Sequence, residues 1–215
     1  MKKDLTELVI LLDKSGSMSN CVSDTIGGLN LFIDRQKQVK SELKVTLVQF
    51  DTYTRKNYEA LDVNDVAKLS YQNYTVGGGT ALLDAVGIVI EEVGARLAKT
   101  LEKDRPEKVL FLVMTDGEEN SSKVFTKEKI NEMVQHQKSV YSWDFIFLGA
   151  DINKWDAEKA YGNVTSVGTQ YVKENTRALY TILGDKVASY RNSSLDLKGA
   201  CCNFTDQETE NLCKK

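Results

Sequence analysis

Apolar residues recur along the chain in two alternating patterns. Near-continuous runs fall at Leu8 to Leu12, Val45 to Phe50, Val109 to Met114 and Phe145 to Leu148, the form expected of strands covered on both faces. Between and after them, apolar positions recur at spacings of three and four. These sets are Ile26, Leu29, Phe32 and Ile33; Leu82, Val86, Val89, Val93 and Leu97; Ile130, Met133 and Val134; and Val172, Thr176, Leu179, Leu183, Val187 and Tyr190. Each set gives a helix one apolar face. Buried strands alternating with amphipathic helices imply right-handed crossovers and an α/β fold. We expect a doubly wound, mainly parallel sheet of about six strands with helices on both faces. Thr52 to Ala60 alternates less cleanly and follows the second run after a very short connection, which predicts one antiparallel edge strand. Asn163 to Val167 is the candidate sixth strand, ahead of a long helix ending near Tyr190.

Beyond that helix, Arg191 to Asn203 reads as a polar linker. Thr205 followed three residues later by Glu208 is a capping-box pattern and predicts a short helix over Asp206 to Lys214. The expected division is an α/β domain over 1–192 and a tail over 193–215. Because the strands and helices are complete before Arg191, the tail is expected to be removable. A length of 215 residues suits one domain with an appendage.

Charge and composition narrow the function classes. Lys and Arg number 28 against 31 Asp and Glu, so there is no electrostatic footprint for nucleic acid or an anionic membrane. With 41% hydrophobic and 27% charged residues the chain can bury a core. The apolar run at Leu8 ends at Asp13, too early for a signal peptide or a membrane span. Cys21 stands alone, and Cys201, Cys202 and Cys213 crowd together near the end without a disulfide or paired Cys-x-x-Cys framework. We expect reduced thiols in a cytoplasmic protein.

Ligands of open α/β sheets collect at the carboxyl ends of strands, and three such places carry oxygen donors. The first strand runs into Asp13-Lys14-Ser15-Gly16-Ser17. The run from Val109 leads into Thr115-Asp116-Gly117-Glu118-Glu119-Asn120. Between them, Gly77-Gly78-Gly79 delivers Thr80 to a helix start, with Asp84 one turn later. Taken singly, these motifs have plain readings: an Asx turn with exposed serines, a flexible glycine loop, a helix N-cap at Thr80, and solvated charges at Glu118 and Glu119. The glycines do not fit a Walker phosphate loop, because Thr80-Ala81 stands where Lys and Ser or Thr are needed.

Taken together, Asp13-x-Ser15-x-Ser17, then Thr80 with Asp84, then Asp116-Gly117 resemble the metal-ion-dependent adhesion site of von Willebrand factor A (VWA) domains, in order and approximate spacing. The resemblance spans residues 5 to 190 and is closest to the stand-alone intracellular kind found in bacteria and phages. It implies Ser15 and Ser17 as direct ligands, Thr80 as a ligand in the partner-bound state, and Asp13 and Asp116 bound directly or through water. Two carboxylates with neutral hydroxyls make a hard, lightly charged shell suited to Mg²⁺ or Mn²⁺, with Ca²⁺ also open. The resemblance further implies that a partner's Asp or Glu completes the metal shell. Asp84, Gly79, Gly117, Glu118 and Asp151 would form a second shell or partner-facing rim.

The function expected is a non-enzymatic, cation-dependent protein-binding module, an adaptor for an AAA+ ATPase or another complex subunit. Two alternatives stand beside it. One is a Mg²⁺-dependent phosphohydrolase with Asp13 as nucleophile, although Ser15 stands where that chemistry wants a second acid. The other is an assembly protein whose metal only stabilises loops. The lone histidine, His136, falls in a predicted helix away from the strand ends. Trp143, Trp155, Tyr161 and Tyr171 read as packing residues.

Overall fold

The first apolar run extends into a twelve-residue strand, β1 (Lys2–Asp13), that forms the middle of a five-stranded sheet. Its partners are β2 (Glu42–Phe50), β3 (Thr54–Asp62), β4 (Pro106–Thr115) and β5 (Asp144–Gly149), in the order β3-β2-β1-β4-β5. The computed structural model describes residues 1–116, 119–149 and 175–213. The candidate strand at Asn163 to Val167 lies outside them, as do Trp155, Tyr161 and Tyr171, so the sheet has five strands among the described residues. All pairings are parallel except β2 with β3, which is the antiparallel edge expected from the sequence.

The helices are α1 (Val22–Lys37), α2 (Leu82–Lys99), α3 (Lys127–Tyr141), α4 (Thr176–Asn192), α5 (Lys198–Cys201) and α6 (Asp206–Cys213). Alternation along β1 divides the core. Leu8, Ile10 and Leu12 face the cluster that includes α1 and α4, whereas Val9 and Leu11 face α2 and α3. Both faces of the strand are thus covered, which explains its continuous apolar run. Gly28 lets α1 and α4 approach closely: a Cβ there would lie 2.7 Å from Tyr180 Cε2.

Parallel register aligns the strand ends. Asp13 pairs with Phe50, Leu12 with Met114, and Thr115 with Gly149. The residues leaving β1, β2 and β4 therefore share one edge of the sheet, and that edge holds the candidate site.

The stretch expected as a polar linker contributes to the core instead. Arg191 is buried and donates from Nη1 to the Gln36 carbonyl at 2.7 Å. Lys108 Nζ, also buried, donates to the carbonyls of Tyr190 (3.2 Å), Arg191 (2.9 Å) and Ser193 (2.5 Å), a cation at a helix C-terminus. Lys198 Nζ binds Asp144 Oδ2 at 2.6 Å, and Cys202 and Leu212 join the core beside α4. Periodicity missed this because Leu195 and Leu197, the apolar residues visible in the segment, are exposed. The contacts come from buried polar groups and isolated apolar ones. The capping box does form: Thr205 N donates to Glu208 Oε2 at 2.7 Å and Glu208 N to Thr205 Oγ1 at 3.3 Å. Among the described residues Cys21, Cys201 and Cys202 form no disulfide, and burial pushes the Cys202 thiol up to about 12. No described helix is long and apolar enough to cross a membrane.

Candidate metal centre

β1 delivers Asp13 to the sheet edge, and the backbone turns there because Ser15 N donates to Asp13 Oδ1 at 2.7 Å. That Asx turn is the local reading of the motif, but Ser15 is buried rather than exposed, and both serines make side-chain contacts. Ser15 Oγ lies 3.0 Å from Ser17 Oγ, and Ser17 Oγ donates to Asp116 Oδ1 at 2.7 Å. The Thr115 hydroxyl donates to Asp13 Oδ2, and the buried Tyr74 hydroxyl donates to the Asp13 carbonyl at 2.7 Å. Residues from the exits of β1 and β4, with Tyr74 from the segment between β3 and α2, thereby converge on one spot.

The glycine loop is sewn to the same spot by its backbone. Gly77 N donates to the Lys14 carbonyl at 2.8 Å and Gly16 N to the Gly78 carbonyl at 3.2 Å. Gly78 adopts φ +74°, and a Cβ there would lie 3.0 Å from Thr52 Oγ1, so the turn needs glycine. Thr80 follows, buried, with its N–H donating to Asn120 Oδ1 at 2.9 Å and its carbonyl accepting from Asn120 N at 3.1 Å. Thr80 is not the N-cap of α2; Ala81 is, with no side-chain cap of its own. Glu119 serves there instead, accepting from Leu83 N at 2.9 Å and from Ser121 N and Ser122 N at 2.9 and 2.7 Å. Its carboxylate is spent on the helix start and its own loop rather than on a solvated rim.

Burial is graded across the site. Asp13, Ser15, Thr80 and Asp116 are buried and Ser17 is exposed, so the donor cluster opens outward at Ser17. Burial pushes the Asp13 carboxyl above its ordinary range; hydrogen bonds from Thr115 and Ser15 pull the other way, and the charge of Asp116 adds to the rise. The adjacent lysine does not neutralise these acids, since Lys14 Nζ pairs with Asp51. Two facing carboxylates with hydroxyl oxygens fit the donor chemistry of a small, hard divalent cation, so Asp13, Ser15, Ser17, Thr80 and Asp116 would be the residues to hold it.

Of the rim residues, Asp84 points to the β4–α3 loop, where Oδ1 accepts from Val124 N and Phe125 N at 2.9 and 2.8 Å and Oδ2 from Lys123 N at 2.8 Å. Burial opposes ionisation there, but the three N–H groups hold its carboxyl below the usual range. Gly79 N donates to Thr52 Oγ1 at 2.9 Å, and a Cβ on Gly79 would meet Asn120 Oδ1 at 2.9 Å. Gly117, Glu118 and Asp151 lie outside the described residues. Sequence reasoning missed Tyr74, Asn120 and the role of Glu119. Asn120 and Glu119 sit just beyond Asp116 and were within reach of inspection; Tyr74 carried no signal.

No family model matches the chain, and no curated protein matches it. Solved structures do. A von Willebrand factor type A protein from Catenulispora acidiphila superposes with a TM-score of 0.54 at 14% identity, covering 85% of this chain and 42% of that one. The ArnB paralog VWA2 from Sulfolobus acidocaldarius gives 0.52 at 16%, covering 84% and 44%. The manganese-loaded TRAP protein of Plasmodium vivax gives 0.52 at 20%, covering 76% and 65%. The chain spans less than half the length of the first two. The likeness is one of architecture, and with the parallel sheet, the antiparallel edge and the strand-end site it establishes that this chain has the von Willebrand factor A fold.

Proposed function

We propose that this protein is a divalent-cation-dependent protein-binding module rather than an enzyme. Mg²⁺ or Mn²⁺ would be held by Asp13, Ser15, Ser17, Thr80 and Asp116, and a partner's Asp or Glu carboxylate would complete the shell. The carrying observation is the contact chain Ser15 Oγ to Ser17 Oγ to Asp116 Oδ1, which gathers hard oxygen donors at an opening in the sheet edge. A bound ion supplies an electrophilic position for an incoming carboxylate. This chain's own residues fix that position through the Asx turn and the Tyr74 and Asn120 hydrogen bonds. A manganese-loaded protein among structures of the same fold supports a divalent metal. Ser15, in contact with Ser17, offers no acid for a leaving group, which counts against the phosphohydrolase reading. Within this reading the protein is a cytoplasmic adaptor in a bacterial or phage complex.

The test pairs calorimetry with capture. Mn²⁺ and Mg²⁺ should titrate into wild type with one site, and the Ser15→Ala, Ser17→Ala double variant should lose that binding. A partner captured from lysate by wild type should be released by EDTA and missed by the double variant. Identical capture in all arms would make any ion incidental to partner binding.

A further inference from the structure

At the end of the sheet opposite the candidate metal centre, a cavity of about 530 Å³ opens between α2 and α3, within the range of small-ligand sites. It exists because α2 presents Gly94, Ala95 and Ala98 to it; a Cβ on Gly94 would meet nothing nearer than Trp143 Cη2 at 4.0 Å. Along α3, Ile130 and Val134 are buried, whereas Tyr141 in the last turn is 58% exposed. The two helices thus pack at one end and part at the other.

The floor and wall are aromatic. Trp143 is buried and stacks on Phe111 with centroids 5.3 Å apart. Tyr141 lies 6.4 Å from Trp143 and 5.6 Å from the His136 ring. The rim is acidic: Glu91, Glu102 and Glu107 line it, and among the described residues none of the three is in an ion pair, although Glu107 Oε2 accepts from Asp4 N at 3.3 Å. The lining Arg105 is committed to backbone, donating to the carbonyls of Thr100 at 2.8 Å and Ala98 at 3.1 Å. Gln137 Oε1, also in the lining, is buried with no hydrogen-bond partner among the described residues. The three glutamates outnumber the one guanidinium of the lining, and this excess of carboxylate, with the unpaired acceptor and the aromatic faces, favours a cationic donor.

We infer that this groove binds a small organic cation, an ammonium or guanidinium carried on an apolar body. The apolar part occupies the space left by Gly94 against Trp143, and the cationic head meets Gln137 and the glutamate rim. This site is independent of the metal-centre reading.

The test uses 4-phenylbutylamine, 4-phenylbutanol and 4-phenylbutyrate as probes, titrated calorimetrically into the full chain. The amine should bind about tenfold or more tightly than the carboxylate, with the alcohol between them. Glu91→Gln with Glu107→Gln should weaken the amine and leave the alcohol unchanged. Gly94→Leu should abolish binding of all three; should that variant misfold, Ala98→Met fills the same space from another position. Equal affinity for amine and carboxylate, amine binding that survives a groove-filling variant in a folded protein, or no saturable binding of the amine would each overturn the proposal.

Discussion

Ser17 Oγ donates to Asp116 Oδ1 across 2.7 Å, joining two residues 99 positions apart. One leaves β1 and the other leaves β4, and the parallel register between those strands brings them together. Ser17 reaches Asp116 from the short 3-10 turn over Gly16–Cys21 that follows the Asx turn, and Gly16 N anchors that turn to the Gly78 carbonyl at 3.2 Å. The carboxylate partner sits directly at the end of β4, which suits a site that must present its donors before a ligand arrives.

Thr80→Ala should reduce Mn²⁺-dependent partner capture while leaving the protein folded. The backbone of Thr80 is held by Asn120 and the start of α2 by Glu119, so the hydroxyl is not needed for either. Thermal unfolding should move by less than about 1 kcal/mol, measured alongside capture. Unchanged capture would remove Thr80 from the ligand set.

Asp84→Ala should destabilise the protein by about 2 kcal/mol or more, since three backbone N–H groups lose a charged acceptor. The pH dependence has a definite sign. The folded carboxyl is held below its ordinary value, so its stabilisation is fully present above that value and fades as pH falls through the folded one. Urea unfolding of wild type and variant should differ by a constant amount near neutrality, and the difference should close below about pH 4.

Gly28→Ala should cost about 1–3 kcal/mol even though alanine favours helices, because the new methyl meets the Tyr180 ring between α1 and α4. For a chain of this size that is a fall in Tm of a few degrees, about 2–4 °C per kcal/mol. A Gly28→Ala, Tyr180→Leu double variant should recover part of the loss, which differential scanning calorimetry would show.

Ending the chain at Asn203 should lower stability by about 2 kcal/mol or more through loss of the fully buried Leu212 alone. Ending it at Asn192 should cost more, because Cys202, the Lys198 pair with Asp144 and the Ser193 carbonyl bound by Lys108 go as well. Chemical denaturation of the two truncations would rank them. A chain ending at Asn192 that unfolds like the full protein would return the tail to the role of a linker.

Much of this molecule was legible in the residue order. The four apolar runs are β1, β2, β4 and β5, the stripes at three-and-four spacing are helices, and Thr205 with Glu208 forms its capping box. Those features depend on periodicity and on groups a few positions apart, which a sequence displays directly. The placement of Asp13 and Asp116 at strand ends follows as well, since each ends or directly follows a continuous apolar run. What only the tertiary structure decided is who meets whom across the fold. Tyr74 reaches the Asp13 carbonyl, Asn120 holds Thr80, Glu119 takes the start of α2, and Cys202 and Leu212 close the core over α4. These contacts are set by strand register and helix approach. Such distances are sums over the whole chain path, so a buried tyrosine hydroxyl or an isolated tail leucine leaves no periodic mark by which it could have been found.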